Sequence, residues 1–265
     1  MKKPDYKNWV PTSMVIGLSA AAAASGSLLA LFGTTDRILK GRARQAASAV
    51  FGVATPVLLF YTAWMGALHK TFDYNGERKL AKVIIDGTAD FVTLPDGGTG
   101  LDVGCGSGAL TIACAKRNPK AQMIGCDIWS GAYRTVFSKK RCEDNAKAEG
   151  VANVRFTEGN AVQLPFSDES FDAVTSNYVY HNIAGQKKQQ LLLETLRVLK
   201  KGGSFAIHDL MSRARYGDMD AFVQKLRDEG YEDVRLIDTT DGRFMGRKEA
   251  ALLGLGGSTL LVGRK

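Results

Sequence analysis

Leu101-Asp102-Val103-Gly104-Cys105-Gly106-Ser107-Gly108 reads as a short apolar strand that runs into three glycines at alternate positions and then, from Ala109 to Lys116, into a helix. Glycine at such a turn permits backbone conformations and close approaches that a Cβ forbids. The first N–H groups of the following helix point at whatever occupies the turn, so this stretch predicts a nucleotide-type site. The spacing is G-x-G-x-G, whereas a dinucleotide fingerprint needs G-x-G-x-x-G to set a pyrophosphate on the helix end. An oxidoreductase using a dinucleotide is thereby disfavoured.

Further along the chain, the apolar run Met123-Ile124-Gly125-Cys126 ends in Asp127, where an α/β nucleotide site places a carboxylate against ribose hydroxyls. A third strand, Val154 to Thr157, leads into Glu158-Gly159-Asn160-Ala161, and a fourth covers Phe171 to Asn177. Arg197-Val198-Leu199-Lys200-Lys201-Gly202-Gly203-Ser204-Phe205-Ala206-Ile207 reads as a helix end, a glycine turn and a fifth strand. Helical patterns over Tyr133 to Glu149, Lys187 to Leu199 and Asp218 to Glu229 alternate with these strands, and Val234 to Asp238 and Ser258 to Gly263 complete the set. Such alternation implies βαβ units and a parallel sheet with helices on both faces. Ligands bind beyond the carboxyl ends of the strands in sheets of this kind, which puts the glycine loop, Asp127, Asn160 and Asn177 to Asn182 on one rim.

In order and spacing, these motifs resemble the class I S-adenosylmethionine-dependent methyltransferases from roughly Tyr74 to Lys265. The resemblance implies an α/β, Rossmann-like, seven-stranded sheet, mostly parallel, with an antiparallel last strand at its edge. It also implies S-adenosyl-L-methionine as cofactor, held by Asp102, Gly104, Cys105, Gly106, Gly108, Asp127, Ile128, Asn160, Ala161 and Asn177. Two departures stand out. The family usually has Gly-Asp-Ala where this chain has Gly159-Asn160-Ala161, and the aspartate accepts from the adenine amino group. The Asn160 amide oxygen can accept the same bond or serve a turn. Lys201 stands where the family usually has proline.

Ser176-Asn177-Tyr178-Val179-Tyr180-His181-Asn182-Ile183 resembles the Ser-Asn-x-x-x-His-His-Ile stretch of quinone and other small-molecule methyltransferases, with Asn182 in place of the second histidine. It lacks the Asn/Asp-Pro-Pro-aromatic sequence of enzymes that methylate base amino groups. Methyl transfer from a sulfonium is an in-line displacement with a neutral leaving group, so it needs alignment and exclusion of water. A base is required where the acceptor must lose a proton. His181 and Tyr178 are therefore the candidate catalytic residues, His181 as base or acceptor orienter, with a backbone-bonding role as its alternative. Tyr178 and Tyr180 line the pocket or pack beneath it. His208 and Asp209 end the fifth strand on the same rim, Asp209 with helix capping as the alternative; Arg213 and Tyr216 follow in a loop placed to cover an acceptor.

The four cysteines (Cys105, Cys114, Cys126 and Cys142) form no C-x-x-C pair and no cluster with zinc spacing, so buried thiols and no metal site are expected. Converging thiolates for an arsenical are likewise unsupported.

The first 69 residues differ in kind. No charged residue occurs from Val10 to Thr35 or from Gln45 to Leu68, and each run exceeds the approximately 20 residues a helix needs to cross a hydrocarbon core. The basic segment Asp36 to Arg44 lies between them. This predicts a membrane hairpin over residues 1–69, with spans near 12–34 and 46–68, ahead of a catalytic domain over 70–265. Small residues (Gly17, Ala21, Ser25, Gly26) suit close helix packing, and Trp9, Tyr61 and Trp64 suit interfacial anchoring. A cleaved signal peptide is disfavoured by the second run. A soluble hairpin for dimerisation or lid formation, and a shallow hairpin in one leaflet, remain as alternatives.

Seven basic and two acidic residues lie in 1–69, leaving 28 basic and 25 acidic for the remainder, so most of the net +8 sits at the hairpin end. That distribution points to a membrane partner and away from nucleic acid. Lysine and arginine around the two spans favour a catalytic domain on the cytosolic side of the cytoplasmic membrane. The expected function is methyl transfer to a hydrophobic small molecule or lipid: a quinone, a phospholipid amine, or a lipophilic thiol or phenol. The alternatives are a cofactor-binding module without catalysis, and a methyltransferase acting on a protein or soluble metabolite with the hairpin serving homo-oligomerisation.

Overall fold

A computed structural model describes residues 3–130 and 136–265. The chain divides into two compact units, Lys7–Ala81 and a second comprising Met1–Tyr6 with Lys82–Lys265.

The first unit holds two long helices, α1 (Thr12–Thr34) and α2 (Gly41–Phe72). At 1.5 Å per residue they are about 35 and 48 Å long. They pack through small residues, though of the four expected only Ser25 and Gly26 lie at the contact: Ala21 is exposed and nothing lies within 4 Å of the Gly17 Cβ position. Ala22 and Ser25 are buried, the Ser25 and Thr55 hydroxyls lie 2.9 Å apart, and the Cβ position of Gly26 is 3.7 Å from Thr55 Cγ2. Phe32 stacks on Phe51 with 5.9 Å between ring centroids. At the other end, Asn8 Nδ2 donates to the His69 carbonyl at 2.6 Å, His69 Nδ1 meets the Val10 carbonyl at 2.7 Å, and Trp9 packs on Phe72. The hydroxyls of Ser19, Ser27, Thr34 and Thr62 donate to carbonyls four residues earlier, which satisfies them without water. Met14 and Ile16 on α1 and Val50, Val53, Val57, Leu59, Phe60 and Tyr61 on α2 are exposed.

The second unit is a seven-stranded sheet in the order β3-β2-β1-β4-β5-β7-β6. Its strands are β1 (Thr99–Val103), β2 (Gln122–Asp127), β3 (Val154–Glu158), β4 (Phe171–Asn177), β5 (Leu199–Leu210), β6 (Glu232–Asp238) and β7 (Ser258–Arg264). Strands β1 to β5 pair parallel, while β7 runs antiparallel to both β5 and β6. The antiparallel strand is thus internal, inserted between β5 and β6, and the edge is β6. Local sequence could not reveal this, because the insertion is a choice of neighbour and both strands carry the same β pattern.

Helices α3 (Leu80–Ala89), α4 (Ala109–Arg117), α5 (Lys139–Ala148), α6 (Lys188–Arg197), α7 (Arg213–Tyr216), α8 (Met219–Asp228) and α9 (Arg247–Leu253) connect or flank the strands. The helix expected from Tyr133 starts at Lys139, where the Ser138 hydroxyl accepts from the Arg141 amide at 3.2 Å as its N-cap. Residues 133–135 of that expectation lie outside the described residues. The glycine turn expected before the fifth strand falls inside β5, which begins at Leu199. Buried side chains such as Leu101, Val103, Val174, Leu192, Leu196, Phe205, Ile207 and Leu261 form the core, each stabilising the fold by about 1.5–3 kcal/mol relative to exposure. With that core filled, the carboxyl ends of β1, β2, β3, β4 and β5 form a rim.

Candidate active site

The turn from β1 to α4 carries three left-handed glycines: Gly104 (φ 74°), Gly106 (φ 54°) and Gly108 (φ 82°). Amides of Gly104 and Cys105 both donate to the Cys126 carbonyl, at 2.8 and 3.0 Å, tying the turn to β2. The three have different jobs. A Cβ on Gly104 would meet Val179 at 2.3 Å, so this glycine lets the segment after β4 lie directly against the loop. Gly108 admits Phe156 and Cys142, at 3.1 and 3.2 Å from the same test position. At Gly106 the test position meets the Phe137 ring at an ordinary van der Waals distance, 3.9 Å.

Asp127 ends β2 and binds the backbone of Gly106. Its Oδ2 accepts from the Gly106 amide at 2.9 Å and its Oδ1 from the Trp129 amide at 2.8 Å. The Trp129 indole N–H donates to the Gly106 carbonyl at 3.0 Å, from a residue itself in the left-handed region (φ 38°). Trp129 escaped the sequence reading; an aromatic two residues past the acid was the available signal. A carboxylate has about four acceptor positions, so Asp127 retains capacity for sugar hydroxyls. Next to it Ile128 is 48% exposed, and Val162, beyond β3, is 37% exposed. Apolar side chains left open at strand ends suit a planar base.

Other expected cofactor contacts are placed less directly. Asp102 is buried; Thr111 Oγ1 donates to its Oδ2 at 2.6 Å, while Oδ1 has no partner among the described residues. Burial raises its pKa to about 7. Cys105 is buried and its thiol is pushed well up by burial, as is that of Cys114; Cys126 rises to about 12. Asn160 Oδ1 accepts from the Val162 amide at 2.9 Å, so its oxygen closes a local turn, and Ala161 is buried. Asn177 Oδ1 accepts from His208 Nδ1 at 2.8 Å.

The opposite side of the rim is built from β4 and β5. Tyr178 adopts a left-handed conformation (φ 54°), turning the chain into a one-turn 3-10 helix, Tyr180–Asn182. There His181 meets Asp209: its amide donates to Asp209 Oδ2 at 3.1 Å and its Nδ1 donates to Oδ1. The Tyr216 hydroxyl donates to Oδ2 at 2.8 Å, and the Leu210 amide to Oδ1 at 2.7 Å. Burial alone would raise the Asp209 pKa, but the bond from His181 and the other donors outweigh it and hold the carboxyl below its usual value. The helix-capping alternative for Asp209 is overturned: Ser212 precedes α7, and all four donors converge on the buried acid. Tyr216 is buried as a partner of Asp209 and does not form a cover.

His181 is 17% exposed, and no partner for its Nε2 occurs among the described residues. With Nδ1 held by Asp209, Nε2 is the acceptor nitrogen. Tyr178 packs edge-on to His181 (6.0 Å) and against His208 (4.7 Å), with its hydroxyl 2.5 Å from Ser258 Oγ. Burial pushes its phenol pKa up, so it stays neutral. His208 lies fully buried, 3.0 Å from both Thr239 Oγ1 and Ser258 Oγ, and burial lowers its pKa to about 3. Tyr180 is a core residue whose hydroxyl is 2.6 Å from Thr195 Oγ1. Among the described residues, no group of three or more His, Cys, Asp or Glu side chains is arranged to hold a metal ion.

This geometry fits an adenosyl sulfonium: a turn of left-handed glycines, an acid bonded to it, apolar side chains nearby, and, among the described residues, an unpartnered buried carboxyl oxygen at Asp102. The profile of the family described as "Methyltransferase domain" matches residues 101–207. A demethylmenaquinone methyltransferase from Geobacillus stearothermophilus is 30% identical over 162 residues, 57% of this chain and 66% of that protein. The chain therefore spans just under two thirds of the length of that relative. Two solved structures superpose with a TM-score of 0.53: the [4+2]-cyclase SpnF (21% identity, 73% of this chain and 85% of that one) and a geranyl diphosphate methyltransferase complex with GPP and sinefungin (15%, 72% and 85%). At those identities they show the fold alone. Over residues 101–207 the chain matches the methyltransferase-domain family, and the rim and sheet order agree with its resemblance to the class I S-adenosylmethionine-dependent methyltransferases.

Proposed function

We propose that this protein is a membrane-anchored methyltransferase whose acceptor is a lipid-soluble molecule with an ionisable hydroxyl, of the quinol or phenol kind. One observation carries the reading: Val179, two residues before His181, lies against Gly104, so the His181–Asp209 pair and the glycine loop share one crevice. The likeness to a demethylmenaquinone methyltransferase supports the quinol class.

In this reading Gly104, Cys105, Gly106 and Gly108 supply the cofactor cradle, Asp127 takes the ribose hydroxyls, and Ile128, Asn160 and Ala161 border the base. Asp102 and Asn177 act from beneath. The cofactor supplies a methyl group on a sulfonium that leaves as a neutral thioether. His181 Nε2 takes the acceptor hydroxyl proton, and Asp209 stabilises the imidazolium that results. Tyr178 holds the histidine ring by packing and closes the pocket to water, which sharpens the electrostatics inside.

The two-part organisation, hairpin over 1–69 and catalytic domain over 70–265, belongs to the same proposal. Helices α1 and α2 are long and apolar enough to cross a membrane, with 17% and none of their apolar windows buried. A soluble core helix would be mostly buried, and the self-satisfied hydroxyls suit hydrocarbon. Two crossings place the catalytic domain and the N-terminal segment on one side, which the lysine and arginine count makes cytosolic. Confinement to the membrane raises the effective concentration of a lipid-soluble acceptor. The test is to incubate full-length protein in nanodiscs with methyl-labelled S-adenosylmethionine and a chemically reduced total lipid extract. Label in a quinol or phenol fraction is expected; label confined to water-soluble products, or none at all, overturns the proposal.

A further inference from the structure

Asn145 on α5 lies outside the sequence motifs of the rim, yet it is 2% exposed and fully engaged. Its Nδ2 donates to the carbonyl of Ser107, within the glycine loop, at 3.0 Å and to the carbonyl of Asp5 at 3.2 Å; its Oδ1 accepts from the Asp5 amide at 2.7 Å. One side-chain amide thus reads both backbone groups of residue 5 and passes the contact to the loop between Gly106 and Gly108. Two further bonds hold the segment: Arg141 Nη1 to Asp5 Oδ2 at 2.7 Å, and the hydroxyl of buried Tyr6 to Glu149 Oε1 at 3.0 Å. Helix α5 makes a second grip on the loop through Cys142 Sγ, 3.2 Å from the Gly106 carbonyl.

We propose that Asn145 is a positioning residue for the cofactor loop, and that Asp5 and Tyr6 form a strap completing it. This rests on the reading of the glycine loop as the cofactor cradle. Left-handed glycines are conformationally loose in isolation, so a loop built from three of them pays ordering entropy when a ligand binds. Fixing the Ser107 carbonyl removes part of that cost beforehand. Six residues after Tyr6, at Thr12, the first apolar helix begins. The strap therefore ties cofactor affinity to the chain segment that leads into the anchor.

The test uses full-length protein in nanodiscs, with S-adenosylmethionine titrated by calorimetry. Asn145→Ala, which leaves the buried Ser107 carbonyl without its donor, is expected to raise Kd by about tenfold or more. Asp5→Pro deletes the donated amide without touching the loop, and is expected to raise Kd by about threefold to tenfold. In both, hydrogen exchange should accelerate at residues 106–110 and stay unchanged in β5 and β7. If Asn145→Ala fails to fold, Asp5→Pro and the milder Tyr6→Phe decide. Wild-type binding with variant Kd values within twofold of it overturns the strap. Failure of the wild-type protein to bind overturns the cradle reading beneath it.

Discussion

The two sides of the rim are built by different means. On the glycine-loop side, each contact joins residues near one another in sequence or on adjacent parallel strands: Gly106 to Asp127, Trp129 to Gly106, Gly104 to Cys126. On the acceptor side, His181 depends on Asp209 from the next strand, Asp209 on Tyr216 from a later helix, and Tyr178 on Ser258 at the start of β7. The first side follows from a motif; the second exists only once β4, β5 and β7 have come together. The physical difference is electrostatic as well. Asp127 is half-buried with its oxygens on backbone amides, a standing acceptor for neutral hydroxyls. Asp209 is fully buried against the His181 imidazole.

The comparison breaks most sharply at His181. His181→Ala is expected to lower kcat by about 10²- to 10⁴-fold, the usual range for loss of a positioned base, with the cofactor Kd unchanged. Asp209→Asn should lower kcat less and flatten the pH–rate profile, because the amide still orients the ring but no longer stabilises its cation. Single-turnover kinetics across pH check both; an unchanged rate in His181→Ala returns that residue to a structural role. Asp127→Ala should act on the other side alone, weakening cofactor binding by more than tenfold through loss of charge-assisted acceptors, with less effect on turnover at saturation. Calorimetry decides, and equal affinity would remove the ribose assignment.

The smallest effect concerns Asp102, under the loop. Its folded pKa of about 7 lies above the unfolded value of 3.8, so its contribution to stability is fully present below about pH 4 and is lost as pH rises through 7. Asp102→Asn should therefore gain stability relative to wild type between pH 5 and pH 8, with little difference at pH 4. Denaturant melts at the three pH values measure it, and parallel curves would show that the acid is not desolvated as its surroundings indicate.

The parallel strands β1 to β5, the glycine loop and Asp127 were legible because parallel βαβ units leave a local signature: apolar strand, glycine turn, helix. Asn160 shows where that legibility stops. Asparagine can accept from a base or close a turn, and its Oδ1 closes the turn to Val162. Asp209 shows the same limit more strongly, since an acid before a short helix suggests a cap by local rules, while the folded chain directs it at His181, 28 residues earlier. Tyr216 was expected to cover an acceptor but is bound to Asp209, and Asn145 lies outside any motif.

By itself the sequence determined the class of fold, the place of the glycine turn and the two apolar runs at the N-terminal end, because period, composition and glycine spacing are properties of adjacent residues. Tertiary structure alone decided that β7 lies inside the sheet, that a histidine is paired with a buried acid, and that residue 5 is linked through Asn145 to the glycine loop. Those are contacts between distant segments, and their energy depends on burial and on hydrogen bonds that do not exist until the segments meet.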